Sequence, residues 1–207
     1  MIAIVDYGMG NVRSLANAFA YLGEEVVVTD QPQVMDDAER IVLPGVGAFG
    51  DAMRAMGEKG VIEPLNRQVM ELRKPLLGIC LGMQLVARQS VEHGNHQGLG
   101  WIDARVERLA PAPPLKVPHV GWNSLDFPES DWLFQGIRRQ EANFYFVHSF
   151  HMVCARPEDR LATTDYGGDV TAVVRRGNIL AMQFHPEKSQ DNGLRLLQNW
   201  VNWSAGC

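Results

Sequence analysis

The order of apolar runs along this chain predicts an α/β fold: a central, mostly parallel sheet flanked by helices, with a β-rich second half. Three observations carry that expectation. In the first half, short β-type runs alternate with segments of helical periodicity, the pattern of a parallel sheet covered on both faces. Two of the runs end in glycine-bearing turns, Pro44-Gly45-Val46-Gly47 and Cys80-Leu81-Gly82, at the carboxyl ends of strands where such sheets bind ligands. From Gly98 onward, β-type runs and a hairpin turn dominate.

Taken in order, Met1–Val5 is a short apolar run and reads as the first strand. Asn11 is a suitable cap for a helix through Leu22, with Val12, Leu15, Ala16 and Phe19 at helical spacing and Gly23 as its stop. Glu25–Thr29 and Ile41–Leu43 read as further strands, and Phe49–Met56 and Val61–Arg73 as helices, the latter ended by Pro75. Leu76–Ile79 is a strand, and Leu81–Ser90 a helix directly after it. Gly98–Leu109 enters a strand pair, and Ala110-Pro111-Ala112-Pro113-Pro114 is a loop too short to link two domains. Ala142–Met152, Asp169–Arg176 and Asn178–Phe184 are β-rich, with Arg176-Gly177-Asn178 as a hairpin turn, and Asn192–Trp203 closes as a helix.

Composition bounds the function. The chain of 207 residues fits one domain, 1–207, able to bury roughly 70% of its unfolded surface. A hydrophobic content of 46% with 21% charged residues is that of a globular protein in water. The net charge of −5 argues against nucleic-acid binding, and no run reaches the ~18 apolar residues of a membrane span. The start Met1-Ile2-Ala3-Ile4-Val5-Asp6 has no basic region of the kind that begins a secretion signal. The three cysteines, Cys80, Cys154 and Cys207, show no paired spacing, which points to a reducing cytoplasm. Cys154 reads as a strand residue and Cys207 as a tail thiol.

The chemistry begins at Gly78-Ile79-Cys80-Leu81-Gly82-Met83-Gln84. A strand ends at a cysteine, a helix starts after it, and a glycine stands two residues to either side. That is the layout of a nucleophile elbow with Cys in place of Ser. The glycines allow the tight turn, and the helix aims its free N–H groups at the thiol, which favours thiolate. A buried free cysteine in a packed corner is the competing reading. Phe184-His185-Pro186-Glu187 favours the nucleophile. His185 can take the thiol proton and return it to a leaving amine, and Glu187 can hold the other imidazole nitrogen. Pro186 biases His185 to extended backbone, where residues two apart project to one side. The turn at Gly45, Val46 and Gly47 can present backbone N–H donors to a tetrahedral oxyanion, with the Leu81 N–H as a further donor. It lacks the lysine of a nucleotide phosphate loop.

PGVGAFGDAM, GICLGMQ and FHPEKS, in this order, closely resemble the class I (triad) glutamine amidotransferases. Asp6-Tyr7-Gly8-Met9-Gly10-Asn11, Pro118-His119-Val120-Gly121-Trp122-Asn123 and Tyr145-Phe146-Val147-His148-Ser149-Phe150 look like the histidine-biosynthesis branch of that class. The resemblance runs from Met1 to about Trp203. It implies a flavodoxin-like central sheet and hydrolysis of glutamine through a cysteinyl thioester. Cys80 is then the nucleophile, His185 the base and acid, and Glu187 its orienter. Gly45, Val46, Gly47 and Leu81 match the oxyanion donors, while Gln84, Glu92, Ser149 and Phe150 match the substrate contacts. Ser90-Val91-Glu92 departs from the frequent Ser-Glu-Glu, and Phe150 stands where Tyr is frequent, which removes a hydroxyl. The resemblance also implies a heterodimer with a separate (β/α)8 cyclase subunit, which uses the ammonia. Trp122, Asn123, Tyr145 and Lys188 are the expected docking residues; the competing reading makes Trp122 and Tyr145 core aromatics.

His93/His96 and His148/His151 are spaced pairs, the first in a glycine-rich loop and the second pointing to opposite faces of one strand. Neither has a third ligand at suitable spacing, so no metal is expected, and triad chemistry needs no cofactor. A glutaminase of another pathway is disfavoured by PHVGWN, a non-catalytic binding subunit by the intact Cys80, His185 and Glu187, and a cysteine redox protein by the HPE at 185–187.

Overall fold

A computed structural model describes residues 1–203; Cys207, read above as a tail thiol, lies outside the described residues. In chain order the elements are β1 (Ile2–Val5), α1 (Val12–Tyr21), β2 (Val26–Thr29), α2 (Pro32–Asp37), β3 (Arg40–Leu43), α3 (Phe49–Glu58) and α4 (Ile62–Asn66). They continue with β4 (Leu76–Ile79), α5 (Leu81–Leu85), β5 (Ala87–Ser90), β6 (His96–Gln97), β7 (Ile102–Arg108), β8 (His119–Ser124) and β9 (Asn143–His148). The last are β10 (Phe150–Cys154), β11 (Arg160–Asp165), β12 (Asp169–Arg176), β13 (Ile179–Met182) and α6 (Gln190–Asn202).

The main sheet runs β11-β12-β13-β4-β3-β1-β2. From β13 to β2 every neighbour pair is parallel, and β12 and β11 add antiparallel strands at one edge. Strand side chains alternate between faces, and two cores follow from that alternation. Ala3, Val5, Ile41, Leu43, Leu76 and Ala181 face one core, closed by α3, α4 and the small sheet β10-β7-β5-β6. Ile2, Ile4, Val42, Leu77, Ile79 and Leu180 face the other, closed by Leu15 and Phe19 of α1, Leu196, Leu197 and Trp200 of α6, and Phe144 and Phe146 of β9. The expected mostly parallel sheet, covered on both faces and followed by a β-rich half, is therefore the architecture found.

Several boundaries differ from expectation. The helix expected over Leu81–Ser90 stops at Leu85, because Ala87–Ser90 pairs in parallel with β7 and the ladder outcompetes a weak helical preference. The helix expected over Val61–Arg73 is α4 followed by one π-helical turn, Arg67–Glu71, and Arg73 takes a left-handed φ of 58°. Asn11 precedes α1 but makes no side-chain capping bond. His148 and His151 do not share a strand: His148 ends β9 and His151 lies in β10. The chain also forms α2, β8 and β11, for which the sequence has no clear helix or strand signal.

For the site, what matters is the order β13-β4-β3. These three parallel neighbours put the residues after Met182, Ile79 and Leu43 side by side at one edge of the sheet.

Candidate active site

Cys80 sits at the turn between β4 and α5 with φ 54° and ψ −109°. A non-glycine residue in this region is strained, and such strain persists only where the surroundings over-determine it. Here they do. The Cys80 N–H donates to Met182 O at 2.8 Å, and the Cys80 carbonyl accepts from Met83 N at 3.0 Å. The flanking glycines are required by close approach: a Cβ at Gly82 would collide with the Leu43 carbonyl, and one at Gly78 would lie 2.9 Å from Ala181 Cβ. The Gln183 amide Nε2 lies 3.8 Å from Cys80 Sγ.

His185 follows β13 in extended backbone (φ −98°, ψ 98°), as Pro186 requires, and its N–H is tied to Tyr145 O at 2.9 Å. Its Nδ1 lies 2.9 Å from Glu187 Oε1, with both side chains buried. The pair meets through a short 3₁₀ turn, Pro186–Lys188, and not through the extended run that the sequence suggested. Glu187 bonds Nδ1, so Nε2 is the nitrogen free for the thiol; it is buried and has no hydrogen-bond partner. Burial alone would push the imidazole down, but the Cys80 thiol and the Glu187 carboxylate both favour its charged form and raise it to about 9.

Cys80 and His185 open onto a cavity of about 440 Å³. Val46, Gly47, Leu81, Gln84, Glu92, Ser149, Phe150 and Lys188 also line it, so nearly all the expected site residues converge there. Gln84 is fixed by bonds from its Nε2 to Phe150 O (3.0 Å) and Gln183 Oε1 (3.0 Å). Glu92 Oε2 accepts the Phe49 N–H at 2.7 Å, a carboxylate on the first residue of α3. Pro118, Val147 and His148 line the cavity as well. Sequence reading had not assigned them, nor Gln183; the register His119↔His148 brings two of the named motifs together, a pairing visible only once β8 and β9 are aligned.

Two of the N–H groups nominated as oxyanion donors are already hydrogen-bonded. Leu81 N–H donates to Gly45 O, and Val46 N–H donates to Met9 O, each at 3.3 Å. The two bonds belong to opposite ends of one peptide plane, Gly45–Val46. Tyr7 anchors the turn from below, its hydroxyl donating to Pro44 O at 2.8 Å.

Trp122, Asn123 and Tyr145 lie outside the cavity on the β8–β9 ribbon. Trp122 is 49% exposed and stacks edge-on against Tyr145, with centroids 6.0 Å apart. Lys188 Nζ lies 6.0 Å from the Tyr145 ring centroid, bridging ribbon and cavity. Trp122 is therefore not a core aromatic. Among the described residues, no group of three or more His, Cys, Asp or Glu could hold a metal ion, and no helix is long and apolar enough to cross a membrane.

Residues 3–203 match the protein family described as glutamine amidotransferase class-I. The chain is 50% identical, over 98% of its length and 98% of the relative's, to "Imidazole glycerol phosphate synthase subunit HisH 2" of Nitrobacter winogradskyi. It is 47% identical, over 98% and 99%, to "Imidazole glycerol phosphate synthase subunit HisH" of Rhodospirillum rubrum. Among solved structures, one described as "Crystal structure of glutamine amidotransferase" shares the fold with a TM-score of 0.70 at 24% identity, covering 97% of this chain and 100% of that one. "Structure of PurLQS from Thermotoga maritima" matches in fold with a TM-score of 0.71 at 19% identity, over 97% of each chain.

Proposed function

This chain belongs to the class I glutamine amidotransferase family, and from that premise we propose that it is the glutaminase subunit of imidazole glycerol phosphate synthase. The observation that carries the reading is a strained cysteine sharing one cavity with an imidazole that a buried carboxylate orients. The Cys80 thiolate attacks the side-chain amide carbon of glutamine. The resulting tetrahedral oxyanion collapses, the C–N bond breaks, and His185 protonates the departing nitrogen to give ammonia. A water then attacks the thioester while His185 accepts its proton, and glutamate leaves with the thiolate restored. Glutamine and water are consumed; glutamate and ammonia are produced.

Gln84, Glu92 and the backbone at Ser149 and Phe150 hold the amino-acid end of glutamine. Glu92 takes the α-ammonium with the carboxylate that now caps α3. The oxyanion is held by Val46 N–H and Leu81 N–H once the Gly45–Val46 peptide turns over. That one rotation releases Leu81 from Gly45 O and Val46 from Met9 O. A resting peptide turned this way keeps the isolated chain from wasting glutamine, and the turn is a glycine-bearing gate of the kind that a partner can close.

The partner is a (β/α)8 cyclase subunit, joined as a heterodimer at Trp122, Asn123, Tyr145 and Lys188. It combines the ammonia with a phosphoribulosyl formimino intermediate, giving imidazole glycerol phosphate and an aminoimidazole carboxamide ribotide in histidine biosynthesis. Two cores built on one sheet support reading the chain as a single amidotransferase domain. A thiol nucleophile and a second free thiol, Cys154, suit a reducing cytoplasm.

The test is glutamate release from glutamine by the chain alone, then with the cyclase and its ribotide ligand, for wild type and Cys80→Ala. Release that rises strongly with liganded cyclase and vanishes in Cys80→Ala is the expected result. Cys80-dependent release indifferent to the cyclase would reassign the pathway, and no release at all would remove the catalytic reading.

A further inference from the structure

Behind the cavity, a continuous polar chain crosses the β8–β9 ribbon and ends on the substrate pocket. Asn123 Nδ2 lies 3.3 Å from His119 Nε2, His119 Nδ1 lies 2.9 Å from His148 Nε2, and His148 Nδ1 lies 2.8 Å from Phe150 O. Both imidazoles are buried where β8 and β9 pair. His119 is clamped between Phe146 and Tyr166, its ring stacked on each with centroids 4.8 and 3.9 Å apart.

The direction of every proton in this chain is determined at its two ends. Asn123 cannot flip its amide: Nδ2 donates to Asp165 O at 2.9 Å, and Oδ1 accepts from Ser124 N at 2.9 Å. Its N–H therefore faces His119 Nε2, which must be an acceptor. His119 then carries its only proton on Nδ1 and donates to His148 Nε2. His148 carries its only proton on Nδ1 and donates to Phe150 O, a carbonyl that can only accept. A further proton on either ring would set donor against donor at one of these contacts. Burial acts in the same sense, holding His119 down to about 4 and His148 to about 3.

Phe150 O also accepts from Gln84 Nε2, so both its lone pairs are used. The second N–H of Gln84 goes to Gln183 Oε1, and Gln183 Nε2 in turn faces Cys80 Sγ. With both N–H groups engaged, Gln84 has only its Oε1 to offer in the cavity. That is an acceptor, as an α-ammonium or amide N–H requires.

We propose that His119 and His148 are a tautomer-locked positioning pair for glutamine, fixing the Phe150 carbonyl and, through it, the acceptor that Gln84 presents to the substrate. The proposal rests on the glutaminase reading above and names two residues that reading did not use. Neither ring performs a chemical step. The pair acts on how glutamine is held, so its loss raises KM with little effect on kcat.

The test compares wild type, His119→Phe and His119→Gln in the glutaminase assay with the liganded cyclase, together with ¹⁵N NMR of histidine-labelled chain. His119→Phe keeps the stacking but removes the donor to His148. Glutamine KM is expected to rise about tenfold, the scale of one misplaced hydrogen bond to a charged group, with kcat within about twofold. His119→Gln, able to accept on one side and donate on the other, recovers most of that loss. Wild type shows the proton of both rings on Nδ1, and His119→Phe loses that signature at His148. A His119→Phe chain with wild-type KM overturns the proposal and leaves the glutaminase reading standing. So does a wild type whose His148 proton sits on Nε2, a result that needs no activity and no stable variant. Absence of glutamate release from wild type would instead overturn the reading beneath it.

Discussion

At the scale of single residues, the proposed triad was legible because its chemistry is written in short motifs. A cysteine between two glycines at a strand end, and a histidine two residues before a glutamate, each name their role by residue type and spacing. What the motifs do not carry is environment. The elevated His185 depends on Cys80, which only the fold brings to it, as well as on Glu187, and its proton has a stated consequence. Its folded value of about 9 lies above the ordinary 6.5, so protonation stabilises the folded state. That contribution is complete below pH 6.5 and is lost as pH rises to and through 9. In Cys80→Ala one of the two groups that raise His185 is gone. Its ring-proton NMR titration is expected to move below about 9, and the fall in Tm between pH 6.5 and 9 to be smaller than in wild type. An unchanged midpoint in Cys80→Ala would mean that the thiol does not interact with His185. Glu187 sets the tautomer, so Glu187→Gln is expected to lower kcat by as much as about 10⁴, as loss of an orienting carboxylate does in triad enzymes. Glutamine KM should stay near wild type, and a steady-state assay with liganded cyclase would read both. The His119–His148 pair was invisible for the complementary reason. Two histidines 29 residues apart have no local signal, and only the β8–β9 register faces them.

At the scale of elements, legibility followed burial. Strands β1, β3 and β4, buried on both faces, read as continuous apolar runs and were assigned to within a residue or two. Strand β8 alternates buried and exposed residues and carries Gly121 and Asn123, which made it read as a motif and not as a strand. The Leu81–Ser90 helix failed for a related reason: Ala87-Arg88-Gln89-Ser90 has no strand signature of its own and is held by β7 and β6. The short α5 that remains makes its packing strict. Gly82 lies against the Leu43 carbonyl, and Gly45 has the Tyr7 hydroxyl 2.5 Å and the Leu81 Cβ 2.8 Å from where a Cβ would stand. Gly82→Ala must therefore push α5 away from the end of β3, the strand that carries the proposed oxyanion turn. We expect a loss of about 1–3 kcal/mol in stability, the range for overpacking a filled site, measured by urea unfolding. Glutamate release should fall further than stability alone explains, because Leu81 N–H and Cys80 move with the helix. A Gly82→Ala chain with wild-type turnover would show that the β3–α5 approach does not set the oxyanion geometry.

At the scale of the whole molecule, the surface is uneven in a way that suits the proposed docking. The outer face of the β8–β9 ribbon carries Val120, Trp122 and Val147 at 56%, 49% and 38% exposure, with Tyr145 opposite Trp122. Three neighbouring apolar side chains half in water on a short ribbon mark an interaction surface more readily than a solvated one. The ribbon's position adds to this. Val147 and Lys188 line the cavity as well as bordering this face, so a partner covering the ribbon would close the cavity's rim. Ammonia released at Cys80 would then have the partner, and not bulk water, as its nearest outlet. Trp122 and Tyr145 are the aromatic anchors of the interface proposed above, and truncating an anchor typically weakens binding by about 2 kcal/mol or more. Trp122→Ala is accordingly expected to raise the cyclase Kd about thirtyfold in a titration by calorimetry. It should leave the Cys80-dependent labelling rate of the free chain near wild type, because Trp122 is not among the residues that line the cavity. The coupling between subunits reads out separately. With cyclase held above its new Kd, glutamate release that recovers fully would confine Trp122 to affinity. Release that stays low would mean that the ribbon also transmits the partner's presence to the Gly45–Val46 peptide. A variant that binds the cyclase with wild-type affinity and keeps full coupling would remove this face from the interface.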